Sequence, residues 1–142
     1  MNPIEKARSL KKKHPNFTIY DWIDHFNILL VEEDFKDFIG AYRLIERTRV
    51  IWINCNLEDS IKKVVLYHEL GHALLHKNID CYFIRYNTRL KCSFYETEAD
   101  LFNAEMSDLP DKIPEEYKYY TQEQLAGLYC VPVELVRLKY HV

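Results

Sequence analysis

The sequence predicts an α+β fold in which a small antiparallel sheet packs on a core of helices, with further helices at the C-terminal end. Two features of the chain point to this class. Segments with helical periodicity come first and last, and strand-like segments lie together between them without alternation of strand and helix. The strand-like part contains the apolar run Val50-Ile-Trp-Ile53 after a turn near Arg47-Thr48, which is typical of an antiparallel hairpin.

The second predicted helix has a local signal at each end. Thr18 is placed to cap it, and Asn27 is placed to end it. For the segment at residues 81–87, periodicity does not decide between a strand and a surface loop. The predicted elements are helices at 3–13 and 19–26, strands at 28–31, 38–46 and 49–54, and a strand or loop at 81–87.

The bulk composition indicates one globular domain. The chain has 142 residues, of which 48% are apolar and 29% charged, so we expect a single domain over 1–142 with a core at about 28–110 and a helical pair at about 119–140. A net charge of −3 argues against non-specific electrostatic binding of nucleic acid. The sequence has neither an export signal nor a long apolar stretch, and its 4 cysteines are scattered, which predicts a cytoplasmic protein without membrane contact.

The most informative motif is His68-Glu-Leu-Gly-His72. On a helix, His68 and His72 project from one face and can reach the same ion, while Glu69 can take a proton from a metal-bound water. Burying a charged Glu in an apolar helix costs so much free energy that a functional role is expected for it. The motif therefore predicts a Zn²⁺ site with His68 and His72 as ligands and Glu69 as the catalytic base.

The third ligand is expected on a helix predicted at residues 93–107. At about 100° per residue, Glu96, Asp100 and Asn103 share the side next to the apolar stripe, whereas Glu98 and Glu105 point toward water. Glu96 is thus the candidate ligand, with Asp100 placed to accept the free ring N–H of a ligand histidine.

Two alternatives stay open for the third ligand. Ser93 and Glu96 also have the spacing of a capping box, in which Glu96 would only satisfy the helix terminus. His76 lies four residues beyond His72, but one straight helix cannot supply three corners of a tetrahedron. We therefore expect His76 to be exposed in the last helical turn.

The two motifs together resemble those of the ImmA/IrrE-type metallo-endopeptidases of phages and integrative elements. The matching residues are His68-Glu-Leu-Gly-His-Ala-Leu-Leu-His76 and Glu96-x-x-Ala99-Asp100-x-Phe102, and the resemblance extends over roughly residues 28–110. It implies a zincin-like helix core, zinc held by His68, His72 and Glu96, and Glu69 as general base. One departure is Asn103, where relatives usually have Ala, and we predict that it alters the surroundings of the metal or the substrate cleft.

The resemblance also implies a function, namely cleavage of a cognate helix-turn-helix repressor of a mobile genetic element, so the expected partner is a protein substrate. Peptide hydrolysis needs a further donor for the oxyanion, and Tyr82, Tyr119 and Tyr120 are candidates between which the sequence does not choose. A metal-containing antirepressor that sequesters its partner without cutting it would have the same motifs.

The C-terminal part offers a third class of function. Thr121 and Gln124 form a capping box, and a break at residues 130–132 separates two helices, as in a helix-turn-helix. However, the second helix offers only Arg137 and Lys139 as cations. Direct binding of nucleic acid is therefore not favoured, and a helix pair that closes the core is the preferred interpretation.

Overall fold

The computed structural model describes residues 2–36, 38–79, 81–84 and 94–140, and of residues 81–84 only the backbone. Six α-helices and four strands lie in this part of the chain. Their order is α1 (Pro3–Lys13), α2 (Ile19–His25), β1 (Leu29–Glu33), β2 (Phe38–Ile45), β3 (Thr48–Asn54), α3 (Asp59–Leu75), β4 (Cys81–Ile84), α4 (Phe94–Met106), a 3₁₀ turn at Glu115–Tyr117, α5 (Gln122–Tyr129) and α6 (Val133–Tyr140). The predicted α+β class is confirmed.

The N-terminal helices begin where the sequence provides caps. The Asn2 side chain accepts a hydrogen bond of 2.8 Å from the backbone N–H of Glu5, and Pro3 occupies the first turn of α1. Thr18 and Asp21 form a reciprocal capping box at the start of α2. The predicted helices at 3–13 and 19–26 agree with α1 and α2 to within one residue at each end.

The sheet is mixed, so the expectation of a purely antiparallel sheet was wrong in one pairing. The strand order is β1-β3-β2-β4; β2 pairs antiparallel with both β3 and β4, but β1 runs parallel to β3. The reason is that β1 and β2 run in opposite directions while β3 lies between them. The first strand, whose apolar residues 28–31 predict a buried strand, lies instead at the sheet edge, where Leu29 is exposed.

The predicted hairpin of β2 and β3 is confirmed, with Ile45 paired to Thr48. Its two connecting residues, Glu46 and Arg47, both have positive φ, at 45° and 71°. Two residues in that conformation match the twist of the flanking strands. The hairpin thus forms although neither turn residue is glycine.

Two hydrophobic clusters lie on either side of α4. The first joins α1, α2, the sheet and α3, and its largest fully buried side chains include Trp22, Tyr42 and Phe102. The second lies between α4, α5 and α6 around Leu109, Leu125 and Val136. Helix α4 is therefore packed on several sides, whereas the prediction gave it a solvent-facing side. Among the described residues, every helix falls short of the length and apolar character that a membrane span requires.

The C-terminal pair α5 and α6 packs against α4, and its cations have partners within the protein. Cys130 ends α5 in the left-handed conformation, and the predicted capping box of Thr121 and Gln124 is present. Arg137 Nε donates to Gln122 Oε1 over 2.9 Å, and Lys139 is buried on α6. Of the two cations that a DNA-reading helix would present, Lys139 is thus engaged inside the protein, whereas Arg137 is exposed and pairs with neighbouring side chains of α5.

Candidate metal centre

Helix α3 carries the central motif in its buried second half. His68, Glu69 and His72 all lie within a run of buried residues. The helix can lie this deep because a glycine lies at each of its two main contacts, Gly40 on the facing strand β2 and Gly71 on the side of α3 that faces α4. A Cβ on Gly40 of β2 would lie 2.5 Å from Val65 Cγ1, and a Cβ on Gly71 would lie 3.1 Å from Phe102 Cδ1. The sheet and α4 therefore both approach α3 more closely than larger residues would allow.

Three side chains from α3 and α4 meet at one point. His68 Nε2 lies 2.9 Å from Glu96 Oε2, and His72 Nε2 lies 3.0 Å from Glu96 Oε1. The two Nε2 atoms are 3.2 Å apart. The structure thus brings together His68, His72 and Glu96, the residues that the sequence suggested as ligands. The capping alternative for Glu96 depends on Ser93, which lies outside the described residues.

This cluster has the donor set and spacing of a site for a divalent metal. Its three ligand atoms all lie within 4.8 Å of one another. Zinc bonds of about 2.0–2.2 Å in a tetrahedral site place neighbouring donors about 3.4 Å apart, so only small movements would be needed. Two imidazoles and one carboxylate also leave a fourth position for water, as in catalytic zinc sites. The residues present therefore fit a metal ion.

The pKa values of His68, His72 and Glu96 depend on one another, because the three side chains are in contact. Burial would lower the pKa of His68, but contacts with Asp100 and Glu96 outweigh it and raise that pKa to about 9. Burial lowers the pKa of His72. Burial would raise the pKa of Glu96, but its contacts with both histidines outweigh this and hold the pKa far below its usual value. The cluster without metal thus holds a proton on His68, which a bound cation would displace.

Glu69 is a buried carboxylate beside this cluster. Its side chain is 1% exposed, and neither carboxylate oxygen has a hydrogen-bond partner among the described residues. Burial raises the pKa of Glu69 to about 8, with the charge of His68 opposing and that of Glu96 reinforcing the shift. An isolated buried carboxylate is costly in a folded protein, which points to a partner such as a cation or its bound water.

The two residues predicted around the ligands differ in what they contact. Asp100 Oδ1 lies 3.1 Å from His68 Nδ1, on the side of the ring opposite to Glu96. Asn103 is also buried, but its Nδ2 donates to the backbone oxygen of Val64 over 2.9 Å. That carbonyl is the one that accepts the backbone N–H of His68 in a regular α-helix. Asn103 thus contacts the backbone that carries a ligand, whereas Asp100 contacts the ligand ring itself.

Three expectations about the outer residues were wrong. His76 was expected to be exposed but is 6% exposed, with its Nε2 2.7 Å from Glu98 Oε1. Glu98 therefore faces His76 rather than water. Glu105 is buried and contacts Lys139 Nζ at 3.1 Å. The reason is that α4 contacts α1, α3 and α6, so a rule that assigns one side of the helix to solvent fails.

His76 and Glu98 are the residues of interest that sequence reasoning missed. The signal for His76 was its spacing of four from His72, which places both on one helix face. No sequence signal marks Glu98, because its contact depends on how α4 crosses the end of α3. Of the candidate oxyanion donors, Tyr119 is 88% exposed, Tyr120 is also exposed, and the side chain of Tyr82 lies outside the described part of the structure.

Comparison with known proteins defines the class to which this fold and site belong. Residues 23–141 match the Peptidase_M78 family, described as the IrrE N-terminal-like domain, and the chain belongs to this family. It is 33% identical over 136 residues to uncharacterized immunity region protein 2 of Bacillus phage phi105, covering 94% of this chain and 85% of the relative. It is 28% identical over 131 residues to metallopeptidase ImmA of Bacillus subtilis strain 168, covering 89% and 77%.

Proposed function

We propose that this protein is a zinc-dependent endopeptidase that cleaves a helix-turn-helix repressor of a mobile genetic element. The observation that carries the proposal is the convergence of His68, His72 and Glu96 beside the buried, unpartnered carboxylate of Glu69. Membership of a metallopeptidase family supports the reaction class. Similarity to an immunity region protein of a phage supports a substrate that maintains the dormant state of such an element.

The chemistry follows from the arrangement of the side chains. A bound zinc ion would supply Lewis acidity, lowering the pKa of a water in the fourth position and polarising the scissile carbonyl. His68, His72 and Glu96 would hold the ion through Nε2, Nε2 and a carboxylate oxygen. Glu69 would accept the proton of the attacking water on a carboxylate oxygen and deliver it to the amine that leaves when the C–N bond breaks.

The environment of Glu69 suits this proton transfer. A carboxylate with a pKa of about 8 in the metal-free protein is more basic than an exposed one. A nearby dication would bring that pKa down toward the working pH, where a general base is most effective. Because neither carboxylate oxygen is committed to a partner among the described residues, both are available to a water molecule.

The sharpest test is a cleavage assay with a helix-turn-helix repressor, taken from the genes adjacent to the one for this protein if one is encoded there. Zinc-loaded wild type and Glu69→Gln are each incubated with the repressor, and the products are identified by mass spectrometry. Glu134→Gln, an exposed change on α6, serves as the matched control. We expect cleavage at a defined bond by the wild type and the control, and none by Glu69→Gln.

The alternative outcomes distinguish other functions. Tight binding of the repressor by both wild type and Glu69→Gln, without a cut by either, would replace the peptidase with a sequestering antirepressor. A salt-dependent shift of duplex DNA by the protein alone would favour a DNA-binding module. Metal analysis provides the preceding check, since His68→Ala should lose zinc; full occupancy in that variant would overturn the site.

A further inference from the structure

His72, His76 and Glu98 form a continuous chain of contacts leading away from the metal centre. His72 Nδ1 lies 3.0 Å from His76 Nδ1, and His76 Nε2 lies 2.7 Å from Glu98 Oε1. The ring of His76 is buried and packs edge-on against Tyr95, with ring centroids 4.8 Å apart. We refer to these contacts as the His72–His76–Glu98 chain.

The geometry allows only one placement of protons when His72 binds a metal. Its Nε2 faces the other ligands, 3.0 Å from Glu96 Oε1, so Nδ1 must carry the proton of the neutral ring. His76 Nδ1 then has to be unprotonated and to accept a hydrogen bond from His72 Nδ1–H. The remaining proton of His76 lies on Nε2, from which it is donated to Glu98. Every donor in the chain meets an acceptor.

We propose that His76 and Glu98 are positioning residues that fix the tautomer and ring orientation of His72 for metal binding. The inference rests on the proposed metal site at His68, His72 and Glu96. Metal-binding histidines usually donate their second N–H to a carboxylate or carbonyl, which orients the ring and raises its basicity. His68 meets this need directly through Asp100, whereas His72 meets it through His76 and Glu98.

A purely structural role for the His76 ring is less consistent with the contacts. The end of α3 is already held by the backbone, since His76 N–H donates to His72 O over 2.7 Å. The following residue is held by Tyr42, whose hydroxyl donates to Lys77 O over 2.7 Å. Neither contact uses the His76 side chain. Changing the ring should therefore leave the helix end anchored while altering what His72 Nδ1 contacts.

The test uses the full chain with three variants and one control. His76→Asn keeps an acceptor near the position of Nδ1, His76→Leu removes it, Glu98→Gln removes only the charge, and Glu134→Gln is the exposed control. The dissociation constant for Zn²⁺ is measured by competition with a chromophoric chelator. Circular dichroism of the metal-free proteins checks the fold. ¹⁵N NMR of the zinc-loaded wild type reports which ring nitrogen of His72 and His76 carries a proton.

We expect His76→Leu to weaken zinc binding by about tenfold or more, as for other residues that orient metal ligands. His76→Asn should remain much closer to the wild type, and Glu98→Gln should fall between them. In the NMR spectrum, His72 should be protonated on Nδ1 and His76 on Nε2.

Two results would overturn the inference. Equal zinc affinity in His76→Leu, His76→Asn and the wild type would reduce His76 to a packing residue. Protonation of His76 on Nδ1 in the zinc-loaded wild type would do the same, and this measurement decides the matter even if His76→Leu fails to fold. Absence of zinc binding by the wild type would instead remove the proposed metal site itself.

Discussion

The Nδ1 atom of His68 lies 3.1 Å from Oδ1 of Asp100, on the edge of the imidazole ring that points away from Glu96. The carboxylate is placed to hold the Nδ1 proton and so leave Nε2 free to bind a metal. The position of Asp100 on α4, one turn after Glu96, had led us to expect a contact of this kind with a ligand histidine.

Asp100→Asn should weaken zinc binding by about 10- to 100-fold, because the amide can present an N–H to His68 and disturb its tautomer. The measurement is a chelator competition with Asp108→Asn as control, since Asp108 is exposed and pairs with Lys63 at the surface. Unchanged zinc affinity in Asp100→Asn would contradict the role assigned to this carboxylate.

Gly40→Ala should destabilise the protein by about 1–3 kcal/mol, as expected when a well-packed interface is overfilled. The new methyl group would lie 2.5 Å from Val65 Cγ1, and a β-branched residue in a helix has little rotamer freedom with which to move away.

Gly127→Ala is the matched control for that substitution, because no atom of a neighbouring element lies within 4 Å of its added Cβ. In helix α5 it should stabilise the protein by up to about 1 kcal/mol through helix propensity. Urea unfolding measures both variants. A Gly40→Ala variant as stable as the wild type would show that β2 and α3 can separate at low cost.

Lys139→Met should destabilise the protein by about 3–5 kcal/mol, because the Glu105 carboxylate stays buried after losing the cation 3.1 Å away, and its contact of 3.4 Å with Arg8 involves an exposed side chain. Lys118→Met removes an exposed pair with Glu115 and should cost at most about 1 kcal/mol. Chemical denaturation of the two variants gives the comparison. Similar losses in both would mean that the buried pair contributes no more than a surface one.

Asp111→Asn should alter how stability changes in acid. A hydrogen bond from Lys139 holds the pKa of Asp111 below its usual value. As the pH falls, the unfolded chain therefore takes up a proton at this carboxyl before the folded protein does. The stabilisation is complete above the ordinary pKa of about 4 and is lost as the pH falls through the lower folded value.

The variant lacks this contribution, so its unfolding midpoint should fall less steeply below about pH 4 than that of the wild type. Because the Asp111 side chain is largely exposed, the difference should be small and should shrink in high salt. Parallel acid curves for the two proteins would show that the contact with Lys139 does not persist in solution.

Local signals were enough to predict several elements and the principal residues of the cluster. Thr18 marked the start of α2, and the four-residue spacing of His68 and His72 required only that α3 be a helix. The helical positions of Glu96 and Asp100 followed from α4 in the same way. Such features depend on a few neighbouring residues, and their geometry is the same in any fold.

The tertiary structure decided what surrounds each of those elements. The parallel pairing of β1 with β3 depends on which strand lies between two others, and no local periodicity specifies that order. Likewise, Glu98 contacts His76 and Glu105 is buried against Lys139, because α4 packs against α1, α3 and α6 and the side assigned to water meets other helices. The sequence by itself thus determined that His68, His72 and Glu96 could share one ion. Only the packing of α4 across the end of α3 determined that His72 would be supported by His76 and Glu98, since that contact joins residues far apart in the chain.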